Sequence, residues 1–247
     1  MFGFQLGRMG GAGHRGGGAP LWTPAQNFTS GQPGLWYDPS DYSSLSQDSA
    51  GTAPVTAVAQ PVGRMLDKSG RGNVITQATA ASRPLTGTQG AIQYATFDGL
   101  DDGLSTGAIT LTADMDCFIA VRRNSAAKGV SIFSPLDIPT GWAGVFEAGN
   151  SASSFNASVG TPVTTVNGVG VLASRDALHL ALTVGAWHVL EMRNLNLLSW
   201  ANFGVGNYTA FPLNGDIAGV ILCPAGDAST RQKNRQYLGY KVGLTLP

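Results

Sequence analysis

The sequence predicts an all-β fold, a sandwich or a barrel of antiparallel strands, and three observations predict it. From about residue 91 the chain is a succession of strand-length runs rich in Val, Ile, Leu, Thr and aromatics, divided by Gly, Asn and Pro. Asn167-Gly168, between Val163-Thr164-Thr165-Val166 and Val169-Gly170-Val171-Leu172, supplies both positive-φ positions of a type I′ hairpin turn. No alternation of strand and helix patterns appears, so a parallel sheet is not expected. Many short strands with turn signals between them belong to sandwiches and barrels.

Taken in order, residues 1 to about 34 read as an arm. Gly10-Gly11-Ala12-Gly13 and Gly16-Gly17-Gly18 offer a core no side chains, and ordering them costs the most backbone entropy. Phe2, Phe4 and Leu6 alternate as in an added strand and are the arm's expected anchors. Residues 35–90 are rich in Ser, Thr, Pro, Gly and Ala. Leu35-Trp36-Tyr37 and Val62 to Leu66 are their only strong apolar points, so they read as loops draped over a body. Asp38-Pro39-Ser40-Asp41 reads as a turn or a short helical start. The expected strands are Asp116 to Arg123, Val130 to Phe133, Trp142 to Glu147, Val163 to Leu172, Leu178 to Val184, Trp187 to Arg193, Leu195 to Trp200 and Asp216 to Cys223. One helix is expected from about 229 to 242, covering an edge or end of the sandwich. Ser229 and Gln232 suit a capping box, and Gly243 suits the position after the C-cap.

Composition excludes several classes. Fifteen basic and fifteen acidic side chains give a formal net charge of zero, which does not suit a phosphate-backbone binder. Charged residues are 12% of the chain, about half the usual ~25%, so little self-repulsion keeps copies apart. No run of about 18 apolar residues exists, so no membrane insertion is expected, and Met1 to Pro20 lacks the apolar segment of a secretory leader. Cys117 and Cys223 sit in apolar runs and read as buried free thiols, although sequence alone leaves a bridge open.

The chemistry-bearing patterns are sparse. A glycosidase needs two carboxylates at a fixed separation, and the two glutamates, Glu147 and Glu191, are far apart in sequence. There is no Gly-x-Ser-x-Gly elbow for a serine nucleophile. His14 lies in the arm, and His179 and His188 in strand-like runs. Three histidines without a cysteine pair make no zinc site, and the glycine clusters lack the Gly-Lys-Ser/Thr ending of a phosphate loop. Asp98-Gly99-Leu100-Asp101-Asp102-Gly103 puts three carboxylates in one turn. Asp98, Asp101 and Asp102 are therefore the candidate ligands for calcium, against the plainer reading of an acidic turn satisfied by its own amides. Trp142 and Trp200, near loop-like ends, are the candidate rings for stacking on a glycan, against the plainer reading of core tryptophans.

Asp67-Lys68-Ser69-Gly70-Arg71-Gly72-Asn73, then Tyr94 to Leu104, Trp187 to Met192, Leu213 to Ile221 and the closing Arg231 to Gly243, resemble in order and spacing the laminin-G/concanavalin A-like jelly-roll family. The stretch from Trp36 to Thr56 is similar to versions encoded by tailed bacteriophages. The resemblance spans residues 35 to 247. It departs from the family at Asn234, where an apolar residue is usual, which puts the packing of the closing helix in question. The resemblance implies an antiparallel jelly-roll sandwich and a non-enzymatic virion protein assembled in the host cytoplasm, held by the arm to tail or capsid subunits. It also implies a homo-oligomer, a trimer by analogy with such particles, with a tail-tip or fibre position and a host surface glycan as expected partner. Capsid decoration and a soluble carbohydrate-binding module are the alternatives.

Overall fold

The computed structural model describes residues 22–127, 130–135, 147–148, 159–172, 174–206 and 212–247. In chain order the strands are β1 (Leu35–Tyr37), β2 (Leu45–Ser46), β3 (Arg64–Met65), β4 (Ile75–Thr76), β5 (Leu85–Gln89), β6 (Ile92–Asp98), β7 (Leu104–Thr106) and β8 (Met115–Arg123). They continue with β9 (Val130–Ser131), β10 (Phe133–Ser134), β11 (Glu147–Ala148), β12 (Val163–Val166), β13 (Val169–Val171), β14 (Trp187–Leu195), β15 (Gly204–Val205) and β16 (Asn214–Pro224). Two α-helices are described, α1 (Arg175–Ala181) and α2 (Ala228–Lys241).

All the ladders are antiparallel. The large sheet runs β13-β12-β14-β8-β16-β6-β5, and β1 pairs with the far end of β16. The second sheet runs β10-β15-β7-β4-β3-β2, and β9 pairs with β11. The architecture is an antiparallel all-β sandwich with a helical layer on one side.

The central strands of the large sheet are buried on both faces, which explains why they read as nearly unbroken apolar runs. Along β8, Met115, Cys117, Ile119 and Val121 enter the core between the sheets, whereas Phe118 and Ala120 enter a second core beneath α2. In β16, Val220 and Leu222 face the first core, and Ile221 and Cys223 the second. The period of two survives as an alternation between two cores rather than between core and water. Gly219 lies at a register shift in β16. A Cβ there would stand 2.7 Å from Leu238 Cδ2, so the missing side chain lets α2 approach the sheet.

The strongest signals form as expected. Asn167 (φ 54°) and Gly168 (φ 81°) make the β12–β13 hairpin turn, and β8, β14 and β16 contain the strands expected there. Helix α2 begins and ends within a residue of its expected span, but it lies on the outer face of the large sheet rather than at an edge. Its N-cap is Asp227, which accepts from Thr230 N, in place of the expected Ser229. At the C-terminus Leu244 N donates to Gly239 O and Gly243 N to Tyr240 O, the Schellman pattern with Gly243 at φ 73°.

Several expectations need correction. Leu178 to Val184 is not a strand, because α1 occupies most of it. Ser174 accepts from Ala177 N and Asp176 adds a negative charge to the first turn. Leu178 and Leu182 then face the core at helical spacing while Leu180 faces water. Val130 to Phe133 divides into β9 and β10, which join different sheets. Of Leu195 to Trp200, Leu195 ends β14 and the rest is a turn closed by Trp200 N on Leu197 O. Of Trp142 to Glu147, residues 142–146 lie outside the described residues. Residues 35–90 are not merely draped: β2, β3 and β4 supply half of the second sheet, and Val55, Val62, Met65 and Ile75 enter the inter-sheet core. Two-residue strands are too short to show a period in sequence. Residues 22–34, read as the end of the arm, lie against the body. There Phe28 is buried in the outer core, Trp22 packs edge-on to Tyr237, and Asn27 exchanges amide hydrogen bonds with Asn234.

Candidate functional site

Asp98, Asp101 and Asp102 come together. Gly99, at φ 81°, turns the chain after β6, and one oxygen from each of the three carboxylates lies within 4.8 Å of the others. Each also has a protein partner: Asp98 accepts from Leu100 N at 2.8 Å, Asp101 from Ser82 Oγ at 2.7 Å and Asp102 from Asp98 N at 3.0 Å. Burial, opposed by the Asp98 amide and reinforced by the charges of Asp98 and Asp101, pushes the Asp102 carboxyl up to about 6. Three such oxygens make half or less of the six to eight that calcium takes. The turn can attract a hard cation, with the remaining ligands left to water or backbone.

The glycan candidates fare differently. Trp200 is 3% exposed, its ring 6.2 Å from those of Phe133 and Phe203 inside the inter-sheet core. A sugar needs an open ring face, so Trp200 is not a stacking platform. Trp142 and the arm residues Phe2, Phe4 and Leu6 lie outside the described residues, as do parts of both loops flanking Trp142 and Trp200.

A groove that sequence did not reveal lies between the β5–β6 turn and the end of α2. It encloses about 450 Å³ and is lined by Ser40, Ala91, Ile92, Gln93, Tyr240, Lys241 and Gly243. The Tyr240 ring is largely exposed. The lysine in its wall is already engaged, with Nζ 2.6 Å from Asp38 Oδ1 and 2.5 Å from Ser40 Oγ. An open aromatic face beside the Gln93 amide can recognise a small polyol, whereas the Ser40 hydroxyl is held by Asp38 Oδ1 and Lys241 Nζ. Residues 150 positions apart in sequence meet here only because α2 crosses the sheet, so no local motif marks the place.

The other buried charges fasten the fold. Asp116 in β8 pairs with Arg231 at 2.7 Å, and Glu191 in β14 with Arg235 at 2.8 Å while also accepting from Thr165 Oγ1. Asp38, after β1, pairs with Lys241. Three cations of α2 thus reach three acids of the sheet layer. Burial pushes the Asp38 carboxyl up, but Lys241, Ser40 and Lys68 together outweigh it and hold the group below the ordinary carboxylate range. Arg122 in β8 pairs with Asp216 at 2.7 Å and lies 5.0 Å from the ring centroids of both Tyr94 and Trp187.

Arg123, buried on the other face, gives its terminal N–H groups to four carbonyls, those of His179, Leu182, Ser125 and Ala127. It thereby ties the end of α1 to the turn after β8. His188 lies between Asn167 Nδ2 at 3.2 Å and Thr183 Oγ1 at 3.0 Å, and burial lowers its pKa. His179, expected in a strand, is on α1. Both cysteines are free and buried, and burial pushes their thiols far up.

The family-like stretch Asp67 to Asn73 proves to be a carboxylate-centred turn. Asp67 accepts from the backbone amides of Trp36, Ser69 and Asn73, and Asn73 Nδ2 donates to Gly34 O. Among the described helices, none is long and apolar enough to cross a membrane. In comparisons with known proteins the chain matches no family model, no curated protein and no solved structure.

Proposed function

We propose that the chain is a non-enzymatic structural protein of a tailed-bacteriophage virion, with a concanavalin A-like jelly-roll body displayed on an N-terminal anchor. The observation that carries this reading is the use made of the buried charge. Asp38, Asp116, Glu191 and Asp216 are each spent on a cation that holds one layer or strand to another. His188 is fixed between two neutral partners. An acid–base catalyst needs a group free to exchange its proton with a substrate, and these groups are committed to the framework. The stretches that resemble the jelly-roll family support the same reading: they fall on β6, β14, β16, the Asp67 turn and α2, the parts that hold the large sheet together.

The test is association with particles. Deletion of residues 2–20 leaves the described body intact, and it is expected to abolish co-sedimentation with purified virions while leaving the far-UV spectrum unchanged. A truncated chain that still decorates particles overturns the anchor. Electron cryo-microscopy of particles then distinguishes a tail-tip or fibre position from capsid decoration.

A second reading, a carbohydrate-binding module, is favoured by the groove beside Tyr240. In that reading Tyr240 stacks on a host surface sugar while the Gln93 amide takes its hydroxyls. Glycan-array binding lost in Tyr240→Ala, and kept in the conservative Tyr240→Phe, supports it. An array that is blank for the full chain ends it.

A further inference from the structure

The two edges of the large sheet are treated differently. At one edge, β5 is covered by the chain itself: Thr86 N donates to Gln60 O and Ala59 N to Thr86 O, both at 2.8 Å. At the other edge, no strand among the described residues pairs with the outer side of β13. Natural proteins protect such edges with lysine, proline, bulges or a covering element. Strand β13, Val169-Gly170-Val171, carries no charge and no proline, and no charged residue occurs anywhere from Val159 to Leu172.

Large aliphatic side chains gather around the same edge in water. Val163 is 44% exposed, Val169 68% and Leu172 79%, and Leu180 on α1, which packs beside β13, is 72% exposed. Single exposed aliphatics are ordinary, but a cluster beside unpaired backbone marks a binding surface.

The chain contains a segment of matching chemistry. Phe2-Gly3-Phe4-Gln5-Leu6 alternates apolar with small or polar residues, as a strand laid on one face of a sheet requires. The fifteen residues from Gly7 to Leu21 that link it to the docked Trp22 can span up to about 50 Å. That reach extends to the sheet of an adjoining molecule. The breadth of the exposed patch favours a second copy over the chain's own arm. A five-residue strand covers β13 but leaves Leu180 in water, whereas an incoming arm with its body behind it can cover both.

We propose that β13 accepts Phe2 to Leu6 of a second copy of this chain as an added antiparallel strand, each arm completing the large sheet of its neighbour. This deepens the anchoring role given to the arm by naming its partner, and it rests on that role but not on the virion setting. Such a contact is heterologous, so it closes into a ring, which includes a trimer, or propagates.

The experiment is made on the full chain in solution, without particles. Size-exclusion chromatography with light scattering at micromolar concentration is expected to give an oligomer. Two variants are expected to give monomer mass with unchanged circular dichroism and Tm: Phe2→Ser/Phe4→Ser/Leu6→Ser in the arm, and Val169→Lys/Leu172→Lys at the exposed edge. Chains carrying Phe4→Cys, mixed with chains carrying Val169→Cys and joined by a short bis-maleimide, are expected to link one to one, because the native thiols are buried. Three results overturn the proposal: a monomeric native chain, an oligomer that survives both variants, or linkage within a doubly substituted chain at dilution. A native chain that forms the oligomer but does not co-sediment with particles would instead fail the virion reading alone.

Discussion

The two faces of the large sheet are held by different physics. The inner face meets the second sheet through Ile119, Val121, Leu190, Met192, Val220 and Leu222, an apolar core of the ordinary kind. The outer face has apolar contacts too, through Phe118, Ile221, Leu238 and Val242. Its helix, however, is also tied down by Arg231, Arg235 and Lys241 on Asp116, Glu191 and Asp38, and by the Asn234–Asn27 amide pair. Apolar burial is non-directional and tolerates a range of placements. Ion pairs and amide pairs fix one placement, and they are costly to leave half made. The inner core therefore supplies bulk stability, and the outer layer fixes the register in which α2 crosses the strands.

The largest test of this contrast removes one partner of an outer pair. Arg235→Met leaves Glu191 buried beside Arg193, whose Nε is 3.7 Å away, and Thr165. A loss of about 3–5 kcal/mol is expected in urea unfolding. Glu191→Leu combined with Arg235→Met is expected to recover most of it, since replacing both charges by apolar groups of similar size is often neutral. A double variant as unstable as the single one would show that the pair contributes packing rather than placement. On the inner face, Ile119→Val has no partner to strand and is expected to cost only about 0.5–1.5 kcal/mol.

A pH series sharpens the comparison with the acidic turn, where three carboxylates gather. Asp102 has its folded pKa raised from the ordinary carboxylate value to about 6. The folded state therefore holds this proton more tightly than the unfolded chain, and the stability it gives is complete below about pH 4 and lost as pH rises through 6. Asp38 has the opposite sign: its pKa is lowered, so its contribution is present above about pH 4 and lost on acidification below it. Asp102→Asn keeps an acceptor for Asp98 N. It is expected to exceed the native chain by on the order of 2 kcal/mol at pH 7 and to match it near pH 4. Equal stabilities at pH 7 would mean that neither burial nor the neighbouring carboxylates hold a proton on Asp102 in the folded chain.

Legibility followed the same division. The inner-face strands could be read because their side chains repeat locally, as in β8, β14 and β16, and Asn167-Gly168 carried its own turn geometry. Helix α2 could be located from its terminal residues but not placed. Its partners are 115, 44 and 203 residues away at Asp116, Glu191 and Asp38, and nothing local announces pairing at such range. Helix α1 was hidden because Leu178, Leu180 and Leu182 fit a strand period as well as Leu178 and Leu182 fit a helical one, and the Ser174 cap decides between them. The aspartate turn was legible as a cluster since its members are adjacent. Of the two readings that sequence left for Trp200, the core one holds, because the Leu197–Trp200 turn folds the ring inward.

The most local of the expected effects concerns Asn234, the polar residue inside the packing of α2. Asn234 is fully buried. It accepts from Asn27 Nδ2 at 2.9 Å and donates back at 3.4 Å, with a further bond to Thr230 O at 3.2 Å. The polar residue is thus explained by its partner, and it ties residues 24–28 to α2. Asn234→Ala strands the Asn27 amide and is expected to cost about 1–3 kcal/mol. The loss should be local, with faster hydrogen exchange over residues 22–30 and little change in the amides of β8. Asn234→Leu paired with Asn27→Leu should restore much of the stability by apolar contact but leave exchange over 22–30 raised, since contact without direction holds the segment less exactly. Restored protection in that pair would show that burial alone is enough to hold the N-terminal segment on the body.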